Sequence, residues 1–120
     1  MKIGFIGLGN VGAKLAGCLL RNGADLTVRD LDPAHVQPFL DQGAAFGASP
    51  KAMAEICDVI ITCLPSPAIS AAVMEGADGI LAGLMPGTIW AEMSTTHAEE
   101  VKRGGDRQYR HPCRLRTFYF

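Results

Sequence analysis

The chain is 120 residues long, 48% hydrophobic and 19% charged, with 14 glycines and a net charge of −1. That is the length of one domain with room for a core, and the balance excludes a disordered or fibrous chain. The most apolar later stretch, 59–74, is broken by Pro65 and Pro67 and falls short of the roughly 18 residues a membrane span needs, so no membrane partner is expected.

Reading from the N-terminus, Lys2 to Ile6 is a buried strand, and Asn10 to Asn22 carries apolar residues at helical spacing up to a stop at Gly23. Asp25 to Asp30 is a second strand. Asp32-Pro33 opens a second helix by a cap and a first-turn proline, and that helix stops near Gly43. Ala44 to Phe46 is a short strand, and Ser49-Pro50 repeats the cap-plus-proline device for a helix to Ile56. Asp58 to Leu64 is apolar on both faces, as a central strand covered by helices requires. A helix over 68–75, a loop through Gly83 and a strand over 87–93 follow, then a helix from Thr95 or Thr96 to Arg103. Strands alternating with helices pair in parallel through right-handed crossovers, so the expected class is α/β, a doubly wound parallel sheet of the Rossmann type.

The first strand runs into GFIGLGNVGAKLAG, residues 4–17, with glycines at 7, 9 and 12. Such a spacing alone is weak; strand, glycine turn, helix and a second strand ending in Asp30 give it context. Gly7 permits the tight turn, Gly9 removes a side chain where a pyrophosphate approaches the backbone, and Gly12 lets the helix lie close to the strand. The helix start, with Leu8, Asn10 and Val11 around it, offers amides and a partial positive charge to phosphates. Asp30 accepts from the adenosine ribose hydroxyls and repels a 2′-phosphate, which makes NAD rather than NADP the expected cofactor. Arg29 is next to it but alternates to the other face of the strand. A purely structural glycine turn, or a flavin or other adenosine ligand, are the competing readings of the same motif.

With GFIGLGNVG at 4–12, CDVIITCLPSP at 57–67 and GADGILAGLMPGTIWAEMST at 76–95, the sequence resembles the β-hydroxyacid dehydrogenase family over residues 1–104. The family contains 3-hydroxyisobutyrate dehydrogenase and tartronate semialdehyde reductase. The resemblance implies hydride transfer between NAD and a hydroxyacid. It places Leu64 and Pro65 beside the nicotinamide half of the cofactor, Thr95 on the cofactor and Ser94 on the substrate. Locally, Leu64-Pro65 also reads as a strand terminator and Ser94-Thr95 as helix caps. Glu92 stands where the family carries an aspartate.

Relatives of that family are much longer, with a catalytic lysine and a helical second domain. Lys2, Lys14, Lys51 and Lys102 are the chain's lysines and none is in that setting, so no catalytic residue is expected and the chain alone should not transfer hydride. Residues 105–120 form a divergent basic and aromatic tail, read as a truncation or frame change, although LRTFYF at 115–120 has the β character to fill a sixth-strand position. Residues 1–106 hold seven basic and twelve acidic side chains, whereas 107–120 hold four arginines and no acid; a short solvated tail is preferred over a nucleic-acid partner. The uncovered apolar face of a lone domain predicts a homo-oligomer. His35 and His111 are too isolated for metal ligands, His97 reads as an exposed first-turn residue, and no metal is expected. Four cysteines without regular spacing suit a reduced, cytoplasmic setting. The alternative function is a nucleotide-binding or interaction module without catalysis.

Overall fold

The computed structural model of the chain describes residues 1–93 and 114–117. The strands are β1 (Lys2–Ile6), β2 (Asp25–Arg29), β3 (Ala45–Phe46), β4 (Val59–Thr62), β5 (Ile89–Glu92) and β6 (Arg114–Thr117). The helices are α1 (Asn10–Arg21), α2 (Pro33–Asp41), α3 (Pro50–Ile56), α4 (Pro67–Glu75) and α5 (Ile80–Gly83). All six strands pair in parallel in the order β3-β2-β1-β4-β5-β6. The expected doubly wound class is the observed one. The chain winds outward from β1 in one direction through β2 and β3, then returns to β1's other side with β4, and a crevice opens where the direction reverses.

Local chemistry accounts for most boundaries. Asn22 ends α1 with its amide on the Cys18 and Leu19 carbonyls, and Gly23 follows at φ +81°, a conformation open to glycine. Asp32, Ser49 and Ser66 each accept from an amide of the following helical turn, and each is followed by a proline that begins the helix. Helix α4 accordingly begins one residue earlier than the sequence reading put it.

The segment read as a loop through Gly83 contains a short helix, α5. Its four residues include a glycine and carry no capping side chain, so local signals are weak. Tertiary contact fixes it: the Lys51 amide donates to the Asp78 carbonyl at 2.8 Å, and a Cβ on Gly83 would run into the Lys51 carbonyl. The strand at 114–117 takes the sixth position beside β5, as the tail's β character allowed. The helix expected from Thr95 or Thr96 to Arg103 lies outside the described residues, as do Ser94, Thr95, His97, Lys102 and His111.

The sheet has a core on each face. Phe5, Leu8, Ala16, Leu26, Val28, Val36 and Phe39 fill one, beneath α1 and α2. Ile6, Met53, Ile60, Leu64, Met74, Ile80 and Trp90 fill the other, beneath α3, α4 and α5. Each fully buried side chain of this size contributes about 1.5–3 kcal/mol. Within the second core, the Trp90 indole N–H donates to the Thr62 hydroxyl at 2.9 Å, which satisfies both buried polar groups.

Candidate functional site at the strand switch point

Strand β1 delivers the chain into the glycine turn, and three of its glycines are there for different reasons. Gly7 sits at φ +101°, and a Cβ on it would run into the Cys63 carbonyl at the end of β4. A Cβ on Gly12 would collide with the Gly7 carbonyl, with the Phe5 ring 3.4 Å away behind it. Gly9 is the opposite case: nothing lies within 4 Å of the place its Cβ would take. The first two glycines let turn, helix and strand close on one another, and the third keeps open a space outside them.

That space faces the start of α1. The first intrahelical bond is from the Ala13 amide to the Gly9 carbonyl at 2.7 Å, so the amides of Asn10, Val11 and Gly12 come before any intrahelical acceptor. Gly9 is the N-cap and provides no side-chain oxygen, and the first turn holds no acidic residue. Helices α2, α3 and α4 all begin with a side-chain cap; α1, the longest, leaves its positive end to whatever enters the crevice. A diphosphate fits this cradle in shape and charge.

A cleft of about 950 Å³ runs along the carboxyl ends of β1, β2 and β4. Gly7, Gly9, Asn10, Val11 and Gly12 line its middle, Asp30 lies toward one end, and Leu64 and Pro65 toward the other. Eight of the ten residues named from the sequence for the cofactor therefore share one wall. Leu8 does not: its side chain is in the core, and its amide donates to Asp30 Oδ2 at 2.7 Å. Thr95, and Ser94 expected on the substrate, are outside the described residues.

Asp30 follows β2, with its side chain 14% exposed in the cleft. Burial raises its pKa, but the amides of Asp32 and Leu8 and the imidazole of His35 outweigh that and hold the carboxyl below its ordinary value. It is a carboxylate at neutral pH. Its neighbour Arg29 also borders the cleft, contrary to a strict alternation of faces, but its guanidinium is spent elsewhere: Nη1 donates to the Gly47 and Ala48 carbonyls at 2.8 Å each and the group stacks 5.8 Å from the Phe46 ring centre.

The other end is apolar. Leu64, Ile69, Val73 and Met93 stand around Pro65 there, and Val11 is half exposed opposite. Cys63 borders this end; burial and the charge of Glu92 push its thiol up, so it is protonated at neutral pH. Glu92 itself is buried at the end of β5. Sequence reasoning passed over His35 and Asp32 as parts of the cleft. The signal was present in their three-residue spacing, which puts both over the first turn of α2 beside Asp30.

Sheet order, glycine turn and a carboxylate at the end of the second strand together define a Rossmann dinucleotide-binding domain. Residues 2–112 match the family described as the NAD binding domain of 6-phosphogluconate dehydrogenase, and the chain belongs to that family; its cofactor is NAD. The mitochondrial 3-hydroxyisobutyrate dehydrogenase of Rattus norvegicus is 40% identical over 110 residues, 86% of this chain and 33% of that protein. The cytokine-like nuclear factor N-PAC of Homo sapiens is 33% identical over 100 residues, 83% of this chain and 18% of that protein. Among solved structures, a 3-hydroxyisobutyrate dehydrogenase of Mycobacterium tuberculosis with L-serine is 28% identical with a TM-score of 0.81, covering 97% of this chain and 39% of that one. The chain thus spans a third or less of the length of these two curated relatives. No helix among the described residues is long and apolar enough to cross a membrane.

Proposed function

We propose that the chain is the cofactor-holding part of a 3-hydroxyisobutyrate dehydrogenase-like oxidoreductase, with NAD lying across the switch point. One observation carries the reading: the open space at Gly9 faces an uncapped helix start, with the Asp30 carboxylate to one side. In this reading Gly7, Gly9, Asn10, Val11 and Gly12 surround the diphosphate, with the Leu8 amide holding Asp30 in place. Asp30 takes the adenosine ribose hydroxyls and Leu64 and Pro65 flank the nicotinamide; by the family resemblance Thr95 is a cofactor residue and Ser94 a substrate residue. Bound there, the dinucleotide would accept a hydride from the hydroxyl-bearing carbon of a β-hydroxyacid, or return one to the carbonyl carbon of its oxidised form. This chain's residues bind it, orient its two ends and wall off one face from water. None of the described residues lining the cleft is a lysine, and on that observation the 120 residues by themselves are proposed to turn over no hydroxyacid.

Residues 1–104 are proposed as the dinucleotide-binding unit, with 105–120 adding an edge strand. Exposed Phe46, Ile56 and Met85, away from the cleft, support self-association, read by size-exclusion chromatography. The free thiols of Cys18, Cys57 and Cys63 suit a reducing, cytoplasmic setting.

The deciding experiment is calorimetric titration with NADH and NADPH side by side. Binding of NADH in preference to NADPH is expected, and failure to bind either would end the proposal. The 33% identity to N-PAC, described as a nuclear factor, favours a second reading, a non-catalytic interaction module. Deleting residues 105–120 and finding partner binding and oligomeric state unchanged would remove the tail's part in that second reading.

A further inference from the structure

Two groups stand beside Asp30 at the ribose end, and the proposed reading gives them no task. His35 is in the first turn of α2, three residues after the N-cap Asp32, so the helix carries its ring back over the cap. Its Nδ1 lies 3.4 Å from Asp30 Oδ1 and its Nε2 lies 3.6 Å from Asp32 Oδ2. The ring therefore bridges two carboxylates, and all three residues border the same end of the cleft.

Among the described residues that line the cleft, the charged or titratable side chains besides His35 are Arg29, Asp30, Asp32, Cys63 and Asp78. From β2 come Asp30 and Arg29, the latter turned to the Gly47 and Ala48 carbonyls. From α2 itself comes Asp32, whose Oδ1 is engaged by the Ala34 amide. The glycine turn and the first turn of α1 bring amides and the uncharged Asn10 and Val11, and the start of α3 brings Pro50. An imidazole is the side-chain type whose charge ordinarily changes between about pH 5 and 8, and His35 is the imidazole among the described residues lining the cleft. With a neutral ring, two carboxylates confront an added phosphate on the ribose; with a cationic ring, one of them is offset and a donor faces the cleft.

We propose that His35 is a specificity-determining residue of this cleft, its imidazolium form relaxing the discrimination against a 2′-phosphorylated dinucleotide that Asp30 and Asp32 impose. The inference rests on the proposed placement of the adenosine ribose at Asp30. It adds a proton-dependent component to a preference otherwise fixed by carboxylates.

The test is the ratio of NADPH to NADH dissociation constants for the full chain at about pH 8 and about pH 5.5, in the unaltered protein, His35→Gln and Asp32→Asn. The 2′-phosphate has its own ionisation near pH 6, so the ratio moves with pH in every variant, and the movement in excess of His35→Gln is the readout. The ratio is expected to fall about two- to five-fold further in the unaltered protein than in His35→Gln, the range a half-exposed charge pair supplies. At the higher pH those two proteins should share one ratio, and Asp32→Asn should show a lower one. Identical pH courses with normal NADH binding would overturn the role of His35 and leave the cofactor reading standing; no binding of either dinucleotide at either pH would overturn both. Circular dichroism checks folding of each variant, and His35→Asn replaces the glutamine variant if that one does not fold.

Discussion

The two ends of the cleft are built by different means. Around β1 and β2 the parts are tied by directed bonds: the Gly7 amide to the Arg29 carbonyl at 3.0 Å, the Leu8 amide to Asp30, and Arg29 to the Gly47 and Ala48 carbonyls. Around β4 and α4 the wall is made of apolar side chains, Leu64, Ile69 and Val73, set by packing on the core that holds Trp90 and Ile80, with Met93 beside them in the cleft. Directed bonds and missing Cβ atoms tolerate no exchange, whereas an apolar wall accepts substitutions that conserve volume. In the proposed function the Asp30 end recognises the ribose and the other end shapes the wall.

The largest effect should come from breaking the bonded end. Gly7→Ala places a methyl against the Cys63 carbonyl at a φ that side chains rarely adopt, and is expected to cost about 3 kcal/mol or more, read as a fall in Tm of well over 10 °C or loss of folding. Next, Thr62→Val leaves the buried Trp90 indole N–H without its acceptor; a loss of about 1–3 kcal/mol in urea unfolding is expected, with NADH affinity nearly unchanged in the folded protein. A change of affinity as large as that of a glycine variant would erase the distinction between the two ends.

Asp30→Asn keeps shape and removes charge. The preference for NADH over NADPH should shrink about ten-fold, read by calorimetry. Because the folded carboxyl lies below its ordinary value, its ionisation stabilises the fold above the unfolded carboxylate range, and that contribution is lost as pH falls through the folded value. The acid limb of a Tm against pH curve should therefore be shallower in Asp30→Asn. The smallest effect is expected from Ser49→Ala, which removes the cap of α3 on the apolar side and should cost about 1 kcal/mol with no change in the NADH to NADPH ratio.

The same contrast explains what the sequence revealed. The bonded end was legible because glycine, aspartate and the cap-plus-proline pairs act through neighbours in the chain or through the backbone itself. Gly7, Gly9, Gly12 and Asp30 all border one cleft. Helix α5 was not legible, because it is held by Lys51 of α3, which bonds Asp78 just before it and packs against its own Gly83, a contact that no local pattern announces. The Trp90 to Thr62 bond links positions 28 apart in sequence and was equally invisible. His35 was weighed as a metal ligand and dismissed, although its spacing from Asp32 pointed to the nucleotide cleft. Leu8 was expected among the amides offered to the cofactor; its side chain is in the core and its amide is given to Asp30.

The short bond from the Leu8 amide to Asp30 ties what is proposed as the selectivity element to a folding element. A lineage that exchanged Asp30 to accept a phosphorylated cofactor would at the same moment loosen the turn on which every dinucleotide rests. Drift in cofactor choice is therefore expected to run first through the neighbours that carry no such double duty, Asp32 and His35, with Asp30 changing last.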